Sequence, residues 1–345
     1  MAQSGRISRN LLLDQVSSRR RLMVLAATVL LIAASIMVIH MSRIQHPVFY
    51  GLSVPDNDPA TIASLTQQTG YRPQVLNVFV KLDSPSFGPA TLSQISEMGA
   101  KPMITLEPWS WRSGRGQTDQ APYSLAALAS GQWDPNFTNI AKTILGYQGL
   151  VYLRFAHEMN GWWYPWAESV NSNRSGDYVR AWRHVHDIFH NVGCTNVRWI
   201  WSPNALTASS KGTSNIATLY PGDEYVDMLG MTAYGHGASA AQTFDTTLQA
   251  LQAVTHNKNI IISETGADGP DKTEWITSFG QYLDSHSEIH GFVWFNTAPN
   301  TTSASGDYRF DDTPENLNAF RNVLRKANVT TQASALRQPA HWESN

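Results

Sequence analysis

The chain has 345 residues, 42% of them hydrophobic, one cysteine (Cys194) and a net charge of −2. That length buries a large core unaided, and a lone cysteine leaves no internal disulfide, so a cystine-framed scaffold is excluded. Residues 1–21 hold five Arg and one Asp, a net +4, which leaves −6 for the rest and argues against nucleic acid as a partner.

In chain order, the basic stretch comes first and the uninterrupted apolar run LMVLAATVLLIAASIMVI (22–39) follows it. About 18–20 such residues span a bilayer, and a positive flank stays in the cytoplasm. The run is too long for the core of a cleaved signal peptide, and HMSRIQHP after it lacks a small-x-small exit site. The expected organisation is a cytoplasmic terminus over 1–21, a single transmembrane signal-anchor helix over 22–41, an extracytoplasmic domain over 45–327 and a polar tail over 328–345. The membrane is then a partner through the N-terminal helix.

Eight apolar, β-rich runs follow: 49–54, 75–82, 101–109, 150–158, 197–204, 227–234, 259–265 and 291–296. They lack in-out alternation, which predicts strands buried on both faces of a parallel sheet. Helical patterns lie between them, among them PATIASLTQQTG, ATLSQISEMGA, DYVRAWRHVHDIFHNVG, FDTTLQALQAVTH, TEWITSFGQYLDSH and TPENLNAFRNVLRKA. Several start after Asp, Ser or Thr and several stop at Gly, as caps require. Eight β-then-α units predict an α/β fold, a (β/α)8 TIM barrel preceded by the transmembrane helix. An open doubly wound sheet is the alternative, but no Gly-rich phosphate loop follows an early strand.

In such a barrel the reactive groups sit where strands run out into loops. Glu158 ends the fourth predicted strand and Glu264 the seventh, on opposite sides of the mouth. Two facing carboxyls suit glycoside hydrolysis, in which one protonates the departing oxygen and the other attacks the anomeric carbon or guides water to it. Sugar C–H faces stack on indole rings, and Trp109, Trp111, Trp162, Trp163, Trp166, Trp201 and Trp294 all fall at or just beyond strand ends. About half are expected to touch ligand and the rest to be packing.

The motifs RFAHEMNGWW (154–163), MTAY (231–234) and SET (263–265) resemble glycoside hydrolase family 26, the endo-β-mannanases and related β-glucanases of the retaining barrel glycosidases. The likeness runs from residue 47 to about 327. It implies that Glu158 is the acid/base and Glu264 the nucleophile, with Arg154 and Tyr234 hydrogen-bonding the nucleophile. It implies further that His157 and Trp163 shape the sugar site, that Trp294 floors it, and that Asn204 lies near the same subsite. Trp109 is a substrate-binding candidate at the third strand end. The chain departs from the family's mannanases at LEPWSW, where Glu107 and Trp109 stand instead of a Trp-His pair. A gluco-configured β-glucan therefore stands beside β-1,4-mannan as substrate.

HExxH zinc chemistry fails because Gly161 stands where the second His is required, and His186 with His190 lacks a third ligand. Neither metal nor cofactor is expected. The expected function is a retaining endo-β-glycanase acting on a polysaccharide. Two alternatives use the same cleft, a non-hydrolytic polysaccharide guide and a transglycosylase, either of them partnered with an exopolysaccharide synthesis or export assembly.

Overall fold

The computed structural model describes residues 48–83, 87–110, 118–206, 215–299 and 306–329. The chain divides into two units, Met1–Gln45 and His46–Asn345, and every described residue belongs to the second. The expected basic terminus, the apolar span at 22–41, Trp111 and residues 330–345 lie outside the described residues. Among the described residues, no helix is long and apolar enough to cross a membrane.

Eight parallel strands, β1 (Phe49–Ser53), β2 (Val75–Lys81), β3 (Lys101–Glu107), β4 (Val151–Phe155), β5 (Val197–Trp201), β6 (Met228–Gly235), β7 (Asn259–Ala267) and β8 (Ile289–Phe295), pair in sequence order. β8 returns to β1 with Phe49 opposite Gly291, closing the barrel. Each strand falls within or overlaps one of the eight predicted runs.

Helices cover the outside: α1 (Pro59–Thr69), α2 (Pro89–Glu97), α3 (Leu125–Ala129), α4 (Asp134–Tyr147), α5 (Asp177–Val192), α6 (Ala240–Val254), α7 (Lys272–Ser285) and α8 (Pro314–Lys326). Their ends follow local chemistry. Asp58 accepts from Thr61 N at the start of α1, Ser239 and Gln242 form a capping box on α6, and Gly193 ends α5 in the left-handed region. In α5 the buried Tyr178, Ala181, Trp182, Val185 and Phe189 recur every three or four residues, so one stripe faces the barrel.

The eightfold repeat is imperfect. Among the described residues between β5 and β6 there are only two 3₁₀ turns, Ile216–Leu219 and Asp223–Tyr225. Trp201 donates to the Leu219 carbonyl at 3.1 Å and meets the Tyr220 ring edge-on, so this segment covers β5 where a helix was expected. Between β3 and β4 lie α3 and α4, neither of them among the predicted helices.

Inside the barrel each strand contributes one residue to an apolar plug: Phe49, Val75, Met103, Tyr152, Ile200, Met228, Ile261 and Val293. Gly291 makes room for it, because a Cβ there would lie 2.1 Å from the Phe49 ring. Leu76, Ile104, Leu153, Leu229, Ile262 and Phe292, the immediate sequence neighbours of plug residues, belong to the separate outer core. Fully burying each such side chain contributes about 1.5–3 kcal/mol.

Candidate active site

One layer above the plug the interior turns polar. Thr105 donates to Asn77 at 2.7 Å, Asn77 to Ser53 at 3.3 Å, and Ser202 and Ser263 share a hydrogen bond of 2.7 Å. At the centre stands Arg154, two residues beyond Tyr152 on the inward face of β4 and fully buried. Its Nε donates to Ser202 at 3.1 Å, its Nη2 to Thr232, and its Nη1 to Glu264 at 2.5 Å. Such a guanidinium is fixed in place by its partners on β6 and β7 and just beyond β5.

Glu264 reaches this position through an irregularity in β7. Met231 pairs with Ile262 but Thr232 with Glu264, so Ser263 is an extra residue on its strand. A bulge re-aims the side chains that follow it. Ser263 turns inward to Ser202 and the Met231 carbonyl, and Glu264 turns inward to Arg154. Gly230 leaves the space, since a Cβ there would lie 2.7 Å from Ser263 Oγ. The other Glu264 oxygen accepts from the Tyr234 hydroxyl. Burial, then the charge of Glu264, holds that phenol well above its ordinary pKa, so it remains a donor. Glu264 lies three residues before the end of β7, not near the end of a run closing at 265.

Glu158 is delivered differently. β4 stops at Phe155, short of the predicted 158, because Ala156 (φ 42°) and Glu158 (φ 55°) leave the extended region. Left-handed backbone at non-glycine residues costs about 1–3 kcal/mol and persists only where surrounding bonds impose it. Those bonds are present. Ala156 N donates to Leu106 O at 3.0 Å, Glu158 N to Ser202 O at 2.8 Å, and Trp166 Nε1 to His157 O at 2.6 Å.

Trp163 Nε1 donates to Glu158 Oε2 at 2.7 Å. Burial first, then the charge of Glu264, pushes the Glu158 pKa up to about 7, against the opposing pull of Arg154, Trp163 and Asn204. Asn204 is itself held by Asn160, which accepts from its backbone N at 2.7 Å and donates to its carbonyl at 2.9 Å. His157 is buried among Phe79, Tyr164 and Trp166, and burial with the Arg154 charge depresses its pKa well below the ordinary value, which makes it a neutral imidazole.

Arg154, His157, Glu158, Trp163, Asn204, Tyr234 and Glu264 therefore gather at one mouth. Trp294 does not join them. It is fully buried, donates to the Tyr308 carbonyl at 2.8 Å, and packs on Trp275, Phe279 and Phe320 in the helix layer. Trp294 therefore faces away from the mouth expected of it, and its neighbour Phe295 has the inward parity of Val293 and meets Phe79, Tyr234 and Tyr308. Trp109 is also buried. It packs edge-on against Tyr164 and Trp166 and donates to Glu107, so it backs a carboxyl and offers no open stacking face. Of the other tryptophans, Trp166 and Trp201 are core and Trp162 is 47% exposed.

Sequence reasoning did not single out Phe79, Phe295 and Tyr164 at this mouth, and read Glu107 only as part of the departure from the family's mannanases. The signal was available in part, because Asn77, Phe79 and Lys81 alternate along β2. Among the described residues no group of three His, Cys, Asp or Glu could hold a metal.

The chain is 33% identical to Endoglucanase H of Acetivibrio thermocellus over 236 residues, covering 64% of this chain and 24% of that protein. It is 26% identical over 196 residues to Beta-1,3-xylanase TXYA of Vibrio sp, covering 49% and 40%, and 27% identical over 133 residues to a mannan endo-1,4-β-mannosidase of Bacillus subtilis, covering 37% and 34%. The chain thus spans well under two thirds of the length of these curated relatives. Among solved structures, a β-mannanase of Bacteroides ovatus superposes with a TM-score of 0.64 at 18% identity, covering 87% of this chain and 95% of that one. A double mutant of the Cellulomonas fimi endo-β-1,4-mannanase gives 0.67 at 14% identity, covering 87% and 74%. At such identities these likenesses speak for the fold alone. The model of glycosyl hydrolase family 26 matches residues 100–298, the span that holds both Glu158 and Glu264, and the chain belongs to that family of glycoside hydrolases.

Proposed function

We propose that the chain is a retaining endo-β-glycanase that hydrolyses a β-linked hexose polysaccharide, β-1,4-mannan or β-glucan, with Glu158 as acid/base and Glu264 as nucleophile. The observation that carries this reading is the unequal treatment of the two carboxyls. Glu264 accepts from the Arg154 guanidinium and from the Tyr234 hydroxyl. Among the described residues the donors on Glu158 are the neutral Trp163 and Asn204, and burial pushes its pKa up to about 7, so it carries a proton to the pH at which an acid is needed.

In the first step a Glu264 oxygen attacks the anomeric carbon, the bond to the leaving oxygen breaks, and Glu158 gives that oxygen its proton. In the second, water gives a proton to Glu158 and its oxygen displaces Glu264 from the anomeric carbon. The Arg154 ion pair and the Tyr234 hydroxyl act on Glu264 in both steps, restraining the side chain as its charge is lost and regained. Phe79, Phe295 and Trp163 offer the apolar faces on which a hexose ring rests.

The glucan is supported by the 33% identity to a named endoglucanase and by LEPWSW, where Glu107 and Trp109 stand instead of the mannanases' Trp-His pair. Mannan is supported by the shorter likenesses to named mannosidases. Localisation rests on sequence alone: the apolar run after a basic stretch supports a single-pass anchor with the barrel outside the cytoplasm.

The test is reducing-sugar release from mannan, mixed-linkage glucan, cellulose derivatives and xylan, with the anomer of the fresh product followed by proton NMR. Release from a β-hexan with the β-anomer formed first is the expected result. No release from any of them, or inversion, contradicts the reading.

A further inference from the structure

Three carboxyls occupy the mouth, and the proposed reaction uses two. The third, Glu107, ends β3 two positions beyond Thr105 and four beyond Met103, on the inward parity of both, and is 5% exposed. Trp109 Nε1 donates to its Oε2 at 3.2 Å, and Trp109 is wedged against Tyr164 and Trp166. Its other oxygen, Oε1, accepts no hydrogen bond from any described residue. That oxygen is not fully enclosed, so it stays open to the mouth, where a ligand hydroxyl can pair with it.

We infer that Glu107 is a substrate-binding, specificity-determining residue whose Oε1 hydrogen-bonds a hydroxyl of the hexose held between Glu158 and Glu264. This rests on the glycanase reading and goes beyond it by assigning a sugar contact to the third acid. Glu264 and Arg154 both act on the Glu107 carboxyl, and Glu107, Glu158 and Glu264 all act on the Tyr164 hydroxyl, so the three acids border one space. The charged groups acting on Glu107 are Glu264 from β7, Lys81 from β2 and Arg154 from β4, and Glu107 acts in turn on Tyr164 beyond β4.

Burial chiefly, with the charge of Glu264, pushes Glu107 up to about 8. At neutral pH Oε2 is then the carbonyl oxygen that accepts from Trp109, and Oε1 carries the proton and donates to the sugar. A glutamine presents the same pattern, one acceptor and one donor, without titrating. An alanine presents neither.

The experiment uses the full chain carrying Glu158→Gln, so that bound sugar persists, and measures binding of β-1,4-gluco- and manno-oligosaccharides by titration calorimetry. Adding Glu107→Ala is expected to weaken the best ligand about tenfold or more, while Glu107→Gln stays within about threefold. Affinity in the Glu158→Gln parent is expected to fall as pH rises through about 8, and on adding Glu107→Gln to stay level. The pH comparison decides the matter even if Glu107→Ala fails to fold. Unchanged affinity in Glu107→Ala, or a pH dependence that Glu107→Gln leaves as it was, overturns the inference and leaves the glycanase reading standing. A parent that binds no oligosaccharide brings down both.

Discussion

The lower and upper halves of the barrel interior are built on the same eight strands and do opposite work. Below, one apolar side chain from each strand fills the axis, with Leu150 packed against the plug. Above, beginning two residues further along β2, β3, β4 and β5, the inward positions are Asn77, Thr105, Arg154 and Ser202. The lower half gains stability from dry packing and asks for nothing but volume. The upper half places a buried guanidinium and three buried carboxyls together, an arrangement that costs free energy unless every partner is present. Strand parity thus keeps stability and chemistry on one scaffold but in separate layers.

The largest expected break in this contrast is Glu264→Gln. Removing the nucleophile while keeping its shape lowers kcat by about 10⁴-fold or more, and it also leaves the buried Arg154 guanidinium without its counter-charge, costing about 3–5 kcal/mol in urea unfolding. Arg154→Met comes next. It strands the Glu264 carboxylate in a buried site, costs about 3–5 kcal/mol in denaturant unfolding, and lowers activity as well. Met103→Ala, in the plug, costs about 2–5 kcal/mol of stability and leaves kcat/KM within a few-fold of wild type, so the two layers separate cleanly in two assays.

A smaller effect sharpens the upper half. Trp163 stabilises the ionised form of Glu158, so Trp163→Phe raises that pKa and moves the alkaline limb of the kcat/KM profile upward by about one unit. Stability follows the same logic. Glu158 and Glu107 titrate higher in the folded chain than in the unfolded one, so the folded state binds more protons between the ordinary carboxylate range near 4.5 and about 7–8. Unfolding scans should show their contribution whole at the acid end of that window and lost at the alkaline end, with Glu107→Gln flattening the slope.

All eight strands could be read from the sequence because each is a continuous apolar run bounded by turn residues. Arg154, His157, Glu158, Tyr234 and Glu264 were legible through their motifs. Trp294 was not, because β8 is apolar on both faces and GFVWFN gives no parity; only the contacts of Phe292 and Trp294 with the helices show which residues face out. The turn of Glu264 into the mouth depends on the bulge at Ser263, which leaves no mark in NIIISET. α4 went unnamed because Trp133 precedes it with no side-chain cap, and the β5–β6 link was expected to be helical only by extending the repeat.

The central claim is that Glu264 bonds to sugar while Glu158 handles protons. It is tested most directly by treating the protein with a 2-deoxy-2-fluoro β-hexosyl donor bearing an activated leaving group, then sequencing the labelled peptide by mass spectrometry. The account predicts one fluorohexosyl adduct per chain, on Glu264 within the peptide containing Ser263-Glu264-Thr265. An adduct on Glu158 or Glu107, or none with a donor that the enzyme turns over, would contradict it.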